Sequence, residues 1–228
     1  MKIKFLGTGG AFDFEKGNAS AVVQLKDKKI LIDCGFSTLG ELVEKNVAKD
    51  IDYILLTHLH GDHVGSLPTL LPYFQYKLGK AVPKIIIPNQ KFQTEVFSFL
   101  TGTYENERAN FAPITDFPEI GWIDTTNMHK PGMTSFAYYF TDGEELIYYS
   151  GDIGNADVAA DFLRNREEPS ITVFHETTPK LDVAVHASYQ EVQEKLGQYN
   201  TFVYHIDKKD MPNDCTLQYV EDFPELLY

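Results

Sequence analysis

Basic side chains are scarce in this sequence. Its arginines are Arg108, Arg164 and Arg166 alone, and the formal net charge is −13. A protein that tracks a nucleic-acid backbone neutralises several phosphates along a basic stripe. None is apparent here, so long polyanions are poor candidates for substrate. Cysteine is scarce too. Cys34 and Cys215 lie far apart without CxxC spacing, which gives no sign of a disulfide framework, and two reduced thiols are expected. No apolar run approaches the ~20 residues of a membrane span, and the opening Met1-Lys-Ile-Lys-Phe-Leu-Gly has no signal-peptide character. A cytoplasmic protein with no membrane partner is expected. Linkers, low-complexity runs and internal repeats are also missing, so residues 1–228 read as a single domain, long enough to bury one core.

What the chain does have is a succession of short β-rich segments with interspersed helical ones. Strands are expected at Lys2–Leu6, Ala21–Lys26, Lys29–Asp33, Tyr53–Thr57, Lys84–Ile87, Ser135–Thr141, Leu146–Ser150, Thr172–Phe174 and Phe202–Tyr204. Helices are expected near Thr38–Asn46, Gly65–Tyr76, Phe92–Leu100, Ala156–Arg166 and Tyr189–Leu196. Tight reversals at Leu25–Ile30 and Tyr139–Leu146 predict hairpins. The mixture points to a layered α/β architecture with antiparallel character, distinct from a doubly wound parallel sheet.

The segment Thr57-His58-Leu59-His60-Gly61-Asp62-His63 follows an apolar strand and opens into Val64-Gly-Ser-Leu-Pro. Histidine and carboxylate ligands this close, at a strand end, suit zinc-class ions. Further candidates also stand where a strand gives way to a loop: His129 in Thr125-Thr-Asn-Met-His, Asp152 in Tyr148-Tyr-Ser-Gly-Asp, and His205 after Thr201-Phe-Val-Tyr. Gly7-Thr-Gly-Gly10 lacks a Walker lysine and reads as a tight turn rather than a phosphate cradle. Aromatics gather in mid-chain, at Tyr73, Phe74, Tyr76, Phe97, Phe99, Tyr104 and Phe111. Each is expected to be ordinary core, although a lid or dimer contact is the alternative reading.

The histidine–aspartate pattern resembles the metallo-β-lactamase superfamily, and within it the ribonuclease Z-like branch of phosphodiesterases. Asp33 in Leu31-Ile-Asp-Cys-Gly matches its early structural aspartate. His58, His60, Asp62 and His63 match its second motif, His129 the third, Asp152 the fourth and His205 the last. Phe5-Leu-Gly-Thr-Gly-Gly, Phe174-His-Glu-Thr-Thr and His186-Ala-Ser point to the branch. The long arm that grips transfer RNA in ribonuclease Z has no counterpart between His129 and Asp152, and Ile206-Asp-Lys-Lys departs from the branch's continuation after the last ligand.

The resemblance implies an αββα sandwich of two packed mixed sheets flanked by helices. It also implies two divalent ions, zinc or else manganese: one on His58, His60 and His129, the other on Asp62, His63 and His205, with Asp152 bridging. A water activated between such ions attacks phosphorus. Asp62 and His186 are the catalytic candidates, with Glu176 orienting His186; the alternative for His186 is a cap on the helix beginning near Ser188. His175 is expected to be structural, and Asn18 and Ser20 border the site. A homodimer is expected. The leading expectation is a phosphodiesterase for a small phosphodiester, a cyclic nucleotide above all, as some arm-less members are. Other possibilities are a transfer-RNA 3′-processing endonuclease, a lactone- or β-lactam-type carbonyl hydrolase, and a metal-stabilised binding module without turnover.

Overall fold

A computed structural model describes residues 1–101, 109–181 and 184–228. Tyr104 and Arg108 lie outside the described residues. The chain divides into two compact units, Met1–Pro118 with Glu225–Tyr228, and Glu119–Pro224.

The first unit holds a six-stranded sheet whose strands lie side by side in chain order: β1 (Lys2–Gly7), β2 (Ser20–Leu25), β3 (Lys28–Ile32), β4 (Tyr53–Leu55), β5 (Lys84–Ile87) and β6 (Phe111–Pro113). β1, β2 and β3 form an antiparallel meander, with the expected reversal at Lys26, which adopts φ 53°. From β3 to β6 the pairing is parallel. A parallel pair needs a crossover, and helices supply each one: α1 (Thr38–Glu44), then α2 (Gly61–Val64) and α3 (Leu67–Pro72), then α4 (Gln90–Leu100). Ile54, Leu55, Ile85 and Ile86 are buried, as parallel strands covered on both faces require.

The helix expected over Gly65–Tyr76 is broken. α3 begins on Leu67-Pro68 and meets Pro72, which has no N–H for the helical ladder, and the backbone continues as a π-turn over Tyr73–Lys77. In α4, capped by Asn89 accepting from the Phe92 amide at 2.9 Å, the buried stripe is Phe92, Val96 and Leu100. Phe97 falls off that stripe and is exposed, as is Tyr76, whereas Phe74 is core. The all-core expectation for the mid-chain aromatics therefore fails at Phe97 and Tyr76. At the other end of the chain, Tyr228 donates its amide to the Phe5 carbonyl, and the Lys4 ammonium bonds the Leu227 carbonyl. The tail thus covers the free edge of β1, which would otherwise present unpaired backbone groups.

The second unit repeats the plan. Its sheet comprises β7 (Ile120–Asp124), β8 (Phe136–Thr141), β9 (Glu145–Tyr149), β10 (Ser170–Glu176), β11 (Asn200–Tyr204) and β12 (Gln218–Tyr219), again adjacent in chain order. β7, β8 and β9 are antiparallel, and β9 to β12 are parallel. α5 (Asp157–Leu163) and α6 (Tyr189–Leu196) make the first two crossovers and bury Ala159, Leu163, Val192 and Leu196 against Leu146, Tyr148, Val173 and Val203. β6, β7 and β12 were not expected from the sequence. In β7 the alternation is interrupted by Gly121, where a Cβ would lie 1.9 Å from the Tyr139 ring. Among the described residues, no helix is long and apolar enough to cross a membrane.

Candidate metal centre

In the first unit the sheet delivers Asp33 and the histidine motif at adjacent strand ends. Asp33 follows β3 with φ 59°, a left-handed conformation that turns the chain off the strand. Its carboxylate is fully buried and accepts three hydrogen bonds of 2.8 Å, from the Thr57 amide, the Thr57 hydroxyl and Nδ1 of His63. Burial raises the Asp33 pKa, while His63 and the two Thr57 bonds act in the opposite sense. The Thr57 hydroxyl gives its proton to Asp33, so its contact with His58 Nδ1 at 3.0 Å is accepted from the imidazole. His58 and His63 therefore both carry their proton on Nδ1 and a lone pair on Nε2, the tautomer that ligates a metal.

The spacing fits the same use. His58 Nε2 and His60 Nδ1 are 3.1 Å apart, and His63 Nε2 and Asp62 Oδ2 are 3.4 Å apart. Two donors at about 2.0–2.1 Å from one tetrahedral zinc sit about 3.3 Å from each other. The motif is held by close backbone contact. The Cys34 amide bonds the His63 carbonyl at 2.7 Å, and the Ser66 amide bonds the Cys34 carbonyl at 2.9 Å. A Cβ on Gly35 would lie 1.9 Å from the Asp62 carbonyl oxygen, so only glycine lets the two segments meet.

Asn18 and Ser20 are tied to the start of α1: the Asn18 side chain accepts from the Ser37 amide at 3.1 Å, and Ser20 pairs with Thr38 at 3.2 Å. The glycine turn at residues 7–10 spends its amides on the chain itself, Thr8 on the Lys16 carbonyl and Gly9 on the Gly17 carbonyl. It is a turn, and these two amides are not available to a phosphate.

The second unit gathers His129, Asp152, Glu176, His186 and His205. His129, in the loop after β7, donates Nδ1–H to the Val185 carbonyl at 2.6 Å, which again leaves Nε2 as the ligand atom. One oxygen of the buried Asp152, Oδ2, lies 3.8 Å from His129 Nε2 and 3.7 Å from His205 Nε2. A single carboxylate oxygen set between two imidazoles is suited to bridging. Gly154 closes this loop with its amide on the Met128 carbonyl at 2.7 Å, and a Cβ there would meet the Ala184 carbonyl at 2.2 Å.

Glu176, at the end of β10, is fully buried. Its Oε1 accepts from the amides of Ile153 (3.0 Å) and Ala187 (3.3 Å), and its Oε2 accepts from His186 Nδ1 at 3.1 Å. Ligand-type atoms of Glu176, His186 and His205 all lie within 4.8 Å of one another. The helix cap considered for His186 is filled by Ser188, whose hydroxyl accepts from the Glu191 amide, so His186 does not cap α6. His175 is buried with Nδ1 on the Glu176 carbonyl at 2.6 Å, and burial lowers its pKa.

In both units the donor set fits divalent ions: imidazoles fixed in the ligating tautomer, with carboxylates at hand. Thr57, Ser150, which accepts no less a role than receiving the Glu176 amide at 3.0 Å, and the Val185 carbonyl are supports that sequence reasoning missed. The first two are hydroxyls next to strand ends, and the third is a backbone group.

A sequence profile of the family described as "Anti-Pycsar protein Apyc1" matches residues 1–218. Relatives carrying that name include one from Paenibacillus sp. (strain J14), 30% identical over 84% of this chain and 82% of its own length. Another, from Bacillus phage 010DV004, is 26% identical over 90% and 88%. Among solved structures, the metallo-β-lactamase fold protein YhfI from Bacillus subtilis has a TM-score of 0.69 at 20% identity, covering 89% of this chain and 85% of that one. A diphosphatase from the PhnP family has a TM-score of 0.66 at 18% identity, covering 93% and 88%. Unliganded yeast PDE1 has a TM-score of 0.64 at 14% identity, covering 98% and 92%. The fold is that of the metallo-β-lactamase proteins, as the histidine motif led one to expect.

Proposed function

The chain belongs to the Anti-Pycsar protein Apyc1 family, and from that premise we propose that it is a metal-dependent phosphodiesterase that opens a small cyclic phosphodiester, a cyclic nucleotide. In this reading His58, His60 and His129 would hold one divalent ion and Asp62, His63 and His205 a second, with Asp152 available to both. Zinc suits this donor set, and manganese is the alternative. Divalent ions bound there would supply Lewis acidity and lower the pKa of a water toward neutrality.

The protein's own contribution is to hold ligands and to move a proton. Asp33, Thr57 and the Val185 carbonyl fix the imidazole rings. Glu176 accepts from His186 Nδ1 at 3.1 Å, a partner that suits the doubly protonated ring, whose second proton is then on Nε2. As the oxygen of a water bonds to phosphorus and the ring P–O bond breaks, the Nε2 proton passes to the departing alkoxide, and the proton released by that water restores the imidazolium. A positioned acid of this kind contributes about 10²–10⁴-fold.

The observation that carries the proposal is the His186–Glu176 pair beside His205, an acid placed to protonate a departing alkoxide. The acidic chain favours a small substrate over transfer RNA. The proposal includes a homodimer working in the cytoplasm.

The test is turnover by zinc- or manganese-loaded protein of bis-p-nitrophenyl phosphate, a panel of 3′,5′-cyclic nucleotides, a precursor transfer RNA and a lactone. Opening of cyclic nucleotides with the RNA and lactone untouched, lost in Asp62→Ala, is the expected result. Lactone opening with every phosphodiester intact would overturn it.

A further inference from the structure

At the N-terminal ends of β4 and β5 the first unit has a cavity of about 380 Å³ whose wall includes Lys49, Lys80 and Lys84. Ile51, Val82 and Pro83 form an apolar side, and the Tyr53 ring, set edge-on against Phe117 at 4.9 Å, borders it. The catalytic motif lies at the opposite end of β4. At about 3.3 Å per extended residue, Tyr53 and His58 are separated by roughly 16 Å.

Local charge departs from that of the chain. Lys29 is paired with Asp50 at 2.9 Å, and Lys28 with Asp27 at 3.4 Å; Asp50 also feels Lys49 and Lys80 from outside the cavity, whose own lining sets Lys49, Lys80 and Lys84 against Asp52. The Asp52 carboxylate already accepts from the Lys29 amide at 2.9 Å. The Lys80 ammonium spends one donor on the Lys49 carbonyl and keeps two. In a protein of net charge −13, a concave site with three lysines, one acid and an apolar wall is an unusual local inversion.

We propose that this cavity binds an organic phosphate of mononucleotide size, separately from the metal centre. The ammonium groups take the phosphate as point charges, and Tyr53 with the apolar wall takes the organic part. The volume lies within the range of small-molecule sites. The proposal does not depend on the phosphodiesterase reading, because none of its residues belongs to the histidine motif.

The experiment is a titration of ¹⁵N-labelled, zinc-loaded full chain with AMP, and in parallel with inorganic phosphate and with adenosine. The amides of residues 49–53 and 80–84 are expected to shift and saturate with AMP, with a dissociation constant distinct from any seen at residues 58–63. In the Lys80→Gln/Lys84→Gln variant the dissociation constant at those amides should rise about fivefold or more. A native melting temperature and native peak dispersion confirm that the variant is folded. Unmoved amides in the wild type, an unchanged constant in the folded variant, or equal shifts with adenosine would each overturn the proposal.

Discussion

Replacing Asp33 by asparagine alters one atom of the carboxylate and should reach the metal through a tautomer. The Thr57 amide can only donate, so the asparagine oxygen must take the Oδ1 position, 2.8 Å from that nitrogen. The new –NH2 then replaces Oδ2, facing the Thr57 hydroxyl and His63 Nδ1. The hydroxyl can rotate to accept. The imidazole can accept only by moving its proton from Nδ1 to Nε2, and an Nε2–H cannot ligate. Asparagine tolerates the left-handed φ of 59° as aspartate does, so no backbone strain is added. Loss of such an orienting partner weakens metal binding about 10–100-fold, or roughly 1.4–2.7 kcal/mol. Asp33→Ala is harsher. At least two buried donors lose their acceptor, at about 1–3 kcal/mol each, enough to threaten the fold. The assay is competition for zinc against a chelator of known affinity, alongside thermal unfolding in excess chelator. An Asp33→Asn protein that folds and holds zinc within a factor of two of the wild type would refute the tautomer argument.

Three further outcomes are expected. His186→Ala should lower kcat on cyclic nucleotides by about 10²–10⁴ with metal content unchanged, and Glu176→Gln should lower it less while moving the alkaline limb of the pH profile to lower pH, since the protonated His186 loses its carboxylate partner; metal analysis and the profile together check this. Gly35→Ala forces a Cβ to within 1.9 Å of the Asp62 carbonyl, so it should cost about 1–3 kcal/mol and lower zinc affinity as well, both read by melting with and without chelator. His175 is the pH-sensitive element. Its folded pKa lies below the ordinary 6.5 because burial disfavours the cation. The unfolded chain therefore binds the extra proton first, and the contribution of His175 to stability is intact above pH ~6.5 and falls as pH drops below it. Urea unfolding from pH 7.5 to 5 should show a shallower decline in His175→Gln than in the wild type, and parallel curves would remove His175 from the account.

The readable parts of the site were those whose residues are contiguous or sit at apolar strand ends. His58, His60, Asp62 and His63 announce themselves because four candidate ligands crowd one loop, whereas Asp33 was legible only through the family resemblance of Leu31-Ile-Asp-Cys-Gly. The Val185 carbonyl that orients His129 has no signature, since any residue offers a carbonyl. Thr57 was passed over for a related reason: a threonine before a histidine is commonplace until its hydroxyl is seen between Asp33 and His58. β7 was hidden by Gly121, whose missing side chain makes room for Tyr139 and weakens the strand pattern.

The strand arrangement shared by the two units accounts for the placement of the chemistry. In each unit three antiparallel strands give way to a parallel run, beginning at β3 in one and β9 in the other. Strands of a parallel run all end on the same edge of the sheet, so their C-terminal loops converge without any long-range instruction in the sequence. Asp33 leaves β3 and Asp152 follows β9; the histidine motif leaves β4, and Glu176 ends β10; His205 leaves β11. The exits also share a backbone device. Asp33, Gly151 and His205 have φ of 59°, 59° and 64°, which reverses the chain within a residue or two of the strand. Glycine adopts this conformation freely, whereas Asp33 and His205 each do so at a cost of about 1–2 kcal/mol. Had the turns served only to change direction, glycine at all three would be the cheaper solution. A side chain kept on a left-handed residue at a sheet edge is there for what it does: Asp33 holds the His63 ring, and His205 sets its Nε2 3.7 Å from Asp152 Oδ2, too far for a hydrogen bond between them and close enough to share an ion.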